Sequence, residues 1–211
     1  MKDTILVFCA HSDDEVIGLG GTLLQYIDKG CKVIKVIFSA GEKSHPHYRP
    51  EVIVKKRIQE TSNINKKYGV YKTIYFQLKD GKLKQEIEEH KIEKKIKKII
   101  TQYNPKRIFT LSALDPHMDH RAVHNAVVDV VRVMKKRYDV YAYEVWNVVP
   151  EKHPVFYVDI GNYFSKKIKM MKEFKSQWLY MYTLLLPVYF RAKLYGFKNN
   201  MKYAEKFYKI L

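Results

Sequence analysis

Unbroken apolar blocks alternate along this chain with stretches whose apolar positions recur every three or four residues. Residues 5–10 (ILVFCA) are continuously apolar, as expected of a central parallel strand covered on both faces. Residues 16–29 place Val16, Leu19, Leu23, Leu24 and Ile27 on one helical face, with Gly30 as the stop. Residues 32–40 predict a second strand, 51–68 a helix closed by Gly69, 73–78 a third strand and Asp80-Gly81 a turn. Residues 84–103 predict one amphipathic helix, with Ile87, Ile92, Ile96, Ile99 and Ile100 inward and Pro105 ending it. A strand over 107–111, a helix over 119–136 and strands over 139–146 and 155–160 follow. From Gly161 to the C-terminus the pattern predicts basic helix, interrupted at Pro187. Alternating strands and helices predict an α/β, Rossmann-like architecture: a mainly parallel sheet flanked by helices. One domain over 1–211 is expected, with 161–211 as a helical extension packed on it.

Composition narrows the class. Of 211 residues, 46% are apolar and 29% charged, a globular balance. No apolar run reaches the roughly 18 residues of a membrane span, and the N-terminus lacks a signal-peptide pattern. Cys9 and Cys31 read as free thiols in a reducing compartment, so a cytoplasmic protein is expected. The formal net charge is +17, from 39 Lys and Arg against 22 Asp and Glu. That excess is spread along the whole chain and no nucleic-acid-binding motif accompanies it, so nucleic acid is not the expected partner.

Open α/β sheets bind ligands beyond the carboxyl ends of their strands. Two polar clusters fall there. After the first strand comes Ala10-His11-Ser12-Asp13-Asp14-Glu15, and after the fourth Asp115-Pro116-His117-Met118-Asp119-His120. Together they offer imidazoles and carboxylates without a thiolate. Two His and one carboxylate, with an open position for water, is a catalytic zinc shell. Non-haem Fe(II) uses the same set, so the donors alone do not choose the metal. The surplus groups suit proton transfer to and from a reacting water. Taken alone, the acids before the helix would also serve as an N-cap favoured by the helix dipole.

Here the sequence resembles the PIG-L/LmbE-type zinc N-deacetylases. Residues 10–15 resemble that family's AHPDDE signature with Ser12 in place of Pro, and His117-Met118-Asp119-His120 its HPDH motif with Met118 in place of Pro. Arg57-Ile58-Gln59-Glu60 is similar to an RxxE helix segment, Leu78-Lys79-Asp80-Gly81 to one ending in Asp-Gly, Ser176-Gln177 to a late SQ pair and Tyr203-Ala204-Glu205 to a late YAE segment. The resemblance implies zinc held by His11, Asp14 and His120, and Asp13 as general base. It implies His117 stabilising the oxyanion or the departing amine with Asp119 orienting it, and Arg57 and Asp80 contacting an amino-sugar substrate. The implied activity is removal of an N-acetyl group from an N-acetylglucosamine-type sugar. The alternatives are a zinc amidase acting on a non-sugar amide, and a basic module binding polyanion or lipid around a vestigial metal site.

Several features carry less. Gly18, Gly20 and Gly21 fit close helix–sheet packing better than a dinucleotide fingerprint, because Leu23 stands where its third Gly belongs. His124, four residues after His120, shares its helix face but competes with Asp14 for the third ligand position. His45 and His47 are candidates for a lid over the crevice, and Glu144 for a site role at the end of the fifth strand. Residues 178–190 (WLYMYTLLLPVYF) carry no charge, with Lys175 and Arg191 as the nearest on either side. A core or subunit-contact segment is the expectation, so a homo-oligomer is a candidate assembly. Contact with an anionic membrane is the sharper alternative.

Overall fold

The structure, a computed structural model, describes residues 2–44, 48–146 and 154–211. Its centre is a seven-stranded sheet of order β3-β2-β1-β4-β5-β7-β6. The strands are β1 (Thr4–Cys9), β2 (Lys32–Ile37), β3 (Lys72–Tyr75), β4 (Arg107–Leu111), β5 (Asp139–Tyr143), β6 (Val155–Asp159) and β7 (Ala204–Lys209). The first five are parallel, and β7 runs antiparallel between β5 and β6. Residues 5–10 are all at most 1% exposed, because β1 has a strand on each side and helices on both faces.

The helices are α1 (Asp14–Asp28), α2 (Pro50–Tyr68), α3 (Leu83–Glu89), α4 (Ile92–Tyr103), α5 (Met118–Arg132), α6 (Phe164–Lys172) and α7 (Trp178–Lys198). From β1 the chain passes through α1 to β2 on one side; from β4 it passes through α5 to β5 on the other. Right-handed crossovers in opposite directions put the two helices on opposite faces. Accordingly α1 packs with α6, and α5 with α3 and α4. The strand order reverses between β1 and β4, so the crevice opens beyond their carboxyl ends.

Three sequence expectations are corrected. Residues 84–103 form two helices, with Lys91 in the left-handed region at φ 49°. Ile87 and Ile92 are both buried, yet five residues on one helix would rotate them about 140° apart. The break resets the phase. The C-terminal region is not helical to its end: residues 204–209 are β7, whose alternation is masked because both faces are covered. Helix α7 runs through Pro187. Pro187 and Thr183, whose carbonyl has no N–H on Pro187 to accept from, are both exposed, so the lost bond is not a buried one.

Close packing explains the glycines of α1. A Cβ on Gly18 would sit 2.3 Å from the Tyr143 ring. The same helix departs from helical geometry at Leu19, and Glu205 caps the restarted turn by accepting from Gly21 N (3.0 Å) and Thr22 N (2.8 Å). Lys167, fully buried at 2.6 Å, balances that carboxylate. A second internal pair, Lys35–Glu15 at 2.7 Å, ties α1 to β2.

Candidate metal centre

The crevice between the β1 and β4 ends holds a cavity of about 440 Å³. His11 leaves β1 and its backbone N–H donates to Asp14 Oδ2 at 2.8 Å, which fixes the turn into α1. His120 sits in the first turn of α5. Ligand atoms of His11, Asp14 and His120 all lie within 4.8 Å of one another, and all three residues are buried. His120 Nε2 stands 3.3 Å from Asp14 Oδ1, and the buried nitrogen has no aligned hydrogen-bond partner among the described residues. A buried nitrogen left so, facing a carboxylate and a second imidazole, fits a divalent cation.

Outer carboxylates hold the rings. Asp115 Oδ1 accepts from His117 N at 2.9 Å and stands 3.0 Å from His120 Nδ1, an ion-pair distance at which that nitrogen, like Nε2, has no aligned hydrogen bond. His11 turns Nδ1 toward Asp14 and Nε2 toward Asp80 Oδ1 (3.1 Å) and Asp119 Oδ2 (3.5 Å). A second donor set, His11–Asp80–Asp119, meets the same distance test. Its carboxylates are already engaged: Asp80 accepts from Lys43 N, and Asp119 from Gly81 N and Leu83 N. The His11–Asp14–His120 set is therefore the one left with unused donor capacity, and carboxylates behind the ligating imidazoles are how such sites fix ring orientation.

The electrostatics follow. Burial lowers the His11 pKa, but hydrogen bonds to Asp119 and Asp80 overcome it and raise it to about 10. Burial likewise works against His120, yet Asp14 and Asp115 lift it to about 9. Burial pushes Asp14 and Asp80 up; His120 and His11 reverse this for Asp14, and His11 holds Asp80 at about 2. The same negative surroundings that favour protons on these nitrogens would favour a divalent cation, which would have to displace those protons. His117 behaves differently: burial, then its His120 and His11 neighbours, lower its pKa. Its Nδ1 accepts from Asp119 N at 3.2 Å, which leaves the proton of the neutral ring on Nε2.

The expected site residues converge, with some altered contacts. Asp13 lines the cavity and pairs with Arg57 Nη2 at 3.0 Å, while Arg57 Nη1 donates to Gly41 O. Gly41 is required there: its φ is +75°, and a Cβ would lie 1.8 Å from the guanidinium. Arg57 and Asp80 line the cavity, but their charged ends are turned to Asp13 and His11. Asp119 does not orient the His117 ring with its carboxylate, which faces His11 and the start of α3 because Gly81 and Leu83 N–H groups draw it there. Glu144 is buried among Tyr195, Tyr208 and Lys206, outside the cavity lining, and His124 Nδ1 bonds Leu111 O at 2.7 Å. His45 and His47 lie outside the described residues.

The weak motifs have structural work. Glu60, three residues after Arg57, accepts from Ser176 N (2.8 Å) and Oγ (2.6 Å). The neighbouring Gln177 reaches Ser44 Oγ at 2.9 Å and lines the cavity. Sequence reasoning left Asp115 without a role, although it opens the same segment as His117 and His120. It also did not place Trp146, Tyr180 and Leu184, which give the cavity an apolar wall. No helix of the described residues is long and apolar enough to cross a membrane.

Comparison with known proteins bears on the fold and the family. An Escherichia coli protein described as an uncharacterized deacetylase, YaiS, is 26% identical over 176 residues, covering 82% of this chain and 90% of its own. The solved N,N'-diacetylchitobiose deacetylase of Pyrococcus horikoshii superposes with a TM-score of 0.85 at 22% identity, over 99% of this chain and 84% of that one. The 4-carboxy-2-hydroxymuconate hydratase GalB of Pseudomonas putida also superposes, with a TM-score of 0.82 at 18% identity, over 100% of this chain and 97% of that one. Such a fold carries more than one chemistry, and the likeness to these structures bears on fold alone. The sequence itself decides the family: residues 6–131, which carry both His/Asp clusters, match the PIG-L family model, described as GlcNAc-PI de-N-acetylase, and the chain belongs to that family.

Proposed function

We propose that this protein is a zinc-dependent N-deacetylase acting on an N-acetylated amino sugar of the N-acetylglucosamine type. The observation that carries the proposal is the buried His11–Asp14–His120 donor set with Asp13 beside it in one cavity. Family membership supports the reaction class, and the relative named for N,N'-diacetylchitobiose supports a sugar substrate. Bound by His11, Asp14 and His120, zinc would supply Lewis acidity to the acyl carbonyl and to water.

The chain's own groups do the rest. Asp13 accepts a proton from the attacking water and returns it to the amide nitrogen, which departs only when protonated. Arg57 keeps that carboxylate oriented through the 3.0 Å pair and competes with its drift toward other cations. His117 Nε2–H donates to the carbonyl oxygen as negative charge develops there. Asp115, Asp80 and Asp119 hold the two imidazoles in place. A positioned proton shuttle contributes about 10²–10⁴-fold. The apolar wall of Trp146, Tyr180 and Leu184 leaves room for whatever the anomeric carbon bears.

The test is metal analysis of the purified protein together with acetate release from a panel of N-acetylglucosaminides: free sugar, glycoside, nucleotide sugar and inositol lipid. Zinc in near one-to-one amount with acetate released from at least one member is expected. Zinc-loaded protein releasing none from the panel while hydrolysing a simple N-acetyl amide would assign the site to a non-sugar amidase.

A further inference from the structure

We propose that the outer face of α7 is a docking surface for an anionic lipid bilayer. The helix buries Met181, Leu184, Val188, Ala192 and Tyr195. On its other side Leu179, Tyr182, Leu186, Phe190 and Phe197 are 52%, 64%, 62%, 62% and 81% exposed. At 100° per residue Leu179, Tyr182, Leu186 and Phe190 fall within an arc of about 80° over about 17 Å of helix axis, and Phe197 continues that arc beyond Lys193, whose exposed charge lies in it. Exposed apolar residues are ordinary when scattered; a contiguous stripe on a surface helix is where polar residues are expected. No charge interrupts residues 178–190.

The surroundings choose the occupant. Lys166, Lys169, Lys172, Lys175, Lys193 and Lys198 are all exposed on α6, α7 and the turn between them. From residue 161 to 203 Glu173 is the one acidic side chain, and it is held by Lys67 at 2.7 Å. A second copy pressed against this face would bring two copies of this lysine-rich, nearly acid-free segment together, whereas acidic headgroups neutralise it. Each basic residue near such a surface is worth about five-fold in partition at low salt. Trp178 and Tyr189 stand at the border of the stripe, where an apolar ring with a polar edge suits the headgroup boundary. No described helix can span a bilayer, so α7 would lie in the plane of the interface. Tyr180 and Leu184, on the adjoining side of the helix, line the cavity, so docking occurs next to the substrate opening.

The test is co-sedimentation of the full chain with vesicles of phosphatidylcholine alone and of phosphatidylcholine mixed with phosphatidylglycerol, at low and high salt. Binding to the mixed vesicles, falling with salt and weak on phosphatidylcholine alone, is expected. Leu186→Glu and Phe190→Glu each remove a side chain worth about ten- to hundred-fold in partition. Both variants are expected to lose at least ten-fold in binding with unchanged thermal melting and unchanged turnover of a soluble substrate. No sedimentation at low salt, or sedimentation unaffected by both variants, would overturn the proposal. A dimer by light scattering that Phe190→Glu dissociates would overturn it in favour of a second copy of the chain.

Discussion

Lys35→Met is expected to cost about 3 kcal/mol of stability at pH 7, and the cost is expected to fall away in acid. Lys35 and Glu15 are 1% and 0% exposed and 2.7 Å apart, and Glu15 Oε2 has no hydrogen-bond partner among the described residues. Methionine keeps the length and apolar stem of lysine and removes the charge, leaving a bare carboxylate in the core. Breaking such pairs typically costs about 3–5 kcal/mol. An independent bound comes from protonation. Glu15 starts from an unfolded-chain value of 4.5, and burial already raises it in the folded protein. Without Lys35 the folded state can take up a proton, which caps the cost at about 1.36 × (7 − 4.5) ≈ 3.4 kcal/mol at pH 7, less the part that burial already imposes on Glu15 in the wild type. The sign follows: the folded variant binds this proton more tightly than the unfolded chain, so its stability rises as pH falls. At pH 5 the same expression gives about 0.7 kcal/mol. Urea denaturation of wild type and variant at pH 7 and pH 5 measures both. Lys35→Met/Glu15→Leu, which removes both charges, is expected to recover most of the loss. A penalty under about 1 kcal/mol at pH 7, or one equal at the two pH values, would refute the reasoning.

The site supports four shorter predictions. Asp13→Asn is expected to keep bound metal and lose about 10²–10⁴-fold in kcat, because the amide cannot accept a proton; activity within a few-fold of wild type would remove Asp13 from that role. Arg57→Lys is expected to lower kcat/KM about ten-fold or more with metal content unchanged, since a single ammonium nitrogen replaces the rigid pair, Nη2 at Asp13 and Nη1 at Gly41 O; equal kinetics would argue against it. Asp115→Ala is expected to weaken zinc affinity about 10–100-fold in competition with a chelator, through the ring of His120; unchanged affinity would show that Asp115 does not hold that ring. Chelation is expected to lower Tm and added zinc to restore it, the added stability being about 2.7 kcal/mol at a hundred-fold excess over Kd; a Tm indifferent to both would speak against a metal bound by the folded state.

Local chemistry made much of this protein legible before any coordinates. The apolar run of β1 suits a strand covered on both faces, as in a parallel sheet, and it ends on His11, Asp13 and Asp14. The corresponding cluster follows β4, and the strand–helix alternation is enough to bring both ends to one crevice. The residues implied by the two motifs do converge there. What the sequence left open depended on partners distant in the chain. Asp115 acquires a role only because His120 turns Nδ1 back onto it, and Asp119 faces His11 because the 81–83 turn, 36 residues away, offers its N–H groups. Arg57 meets Asp13 only once α2 is packed against the Gly41 loop. Strand β7 has no alternating pattern because both of its faces are covered, and Pro187 does not end α7, where the bond it removes is on an exposed turn. Periodicity reports which side of an element is buried; it carries no record of which element buries it, and that is what the packed structure decided.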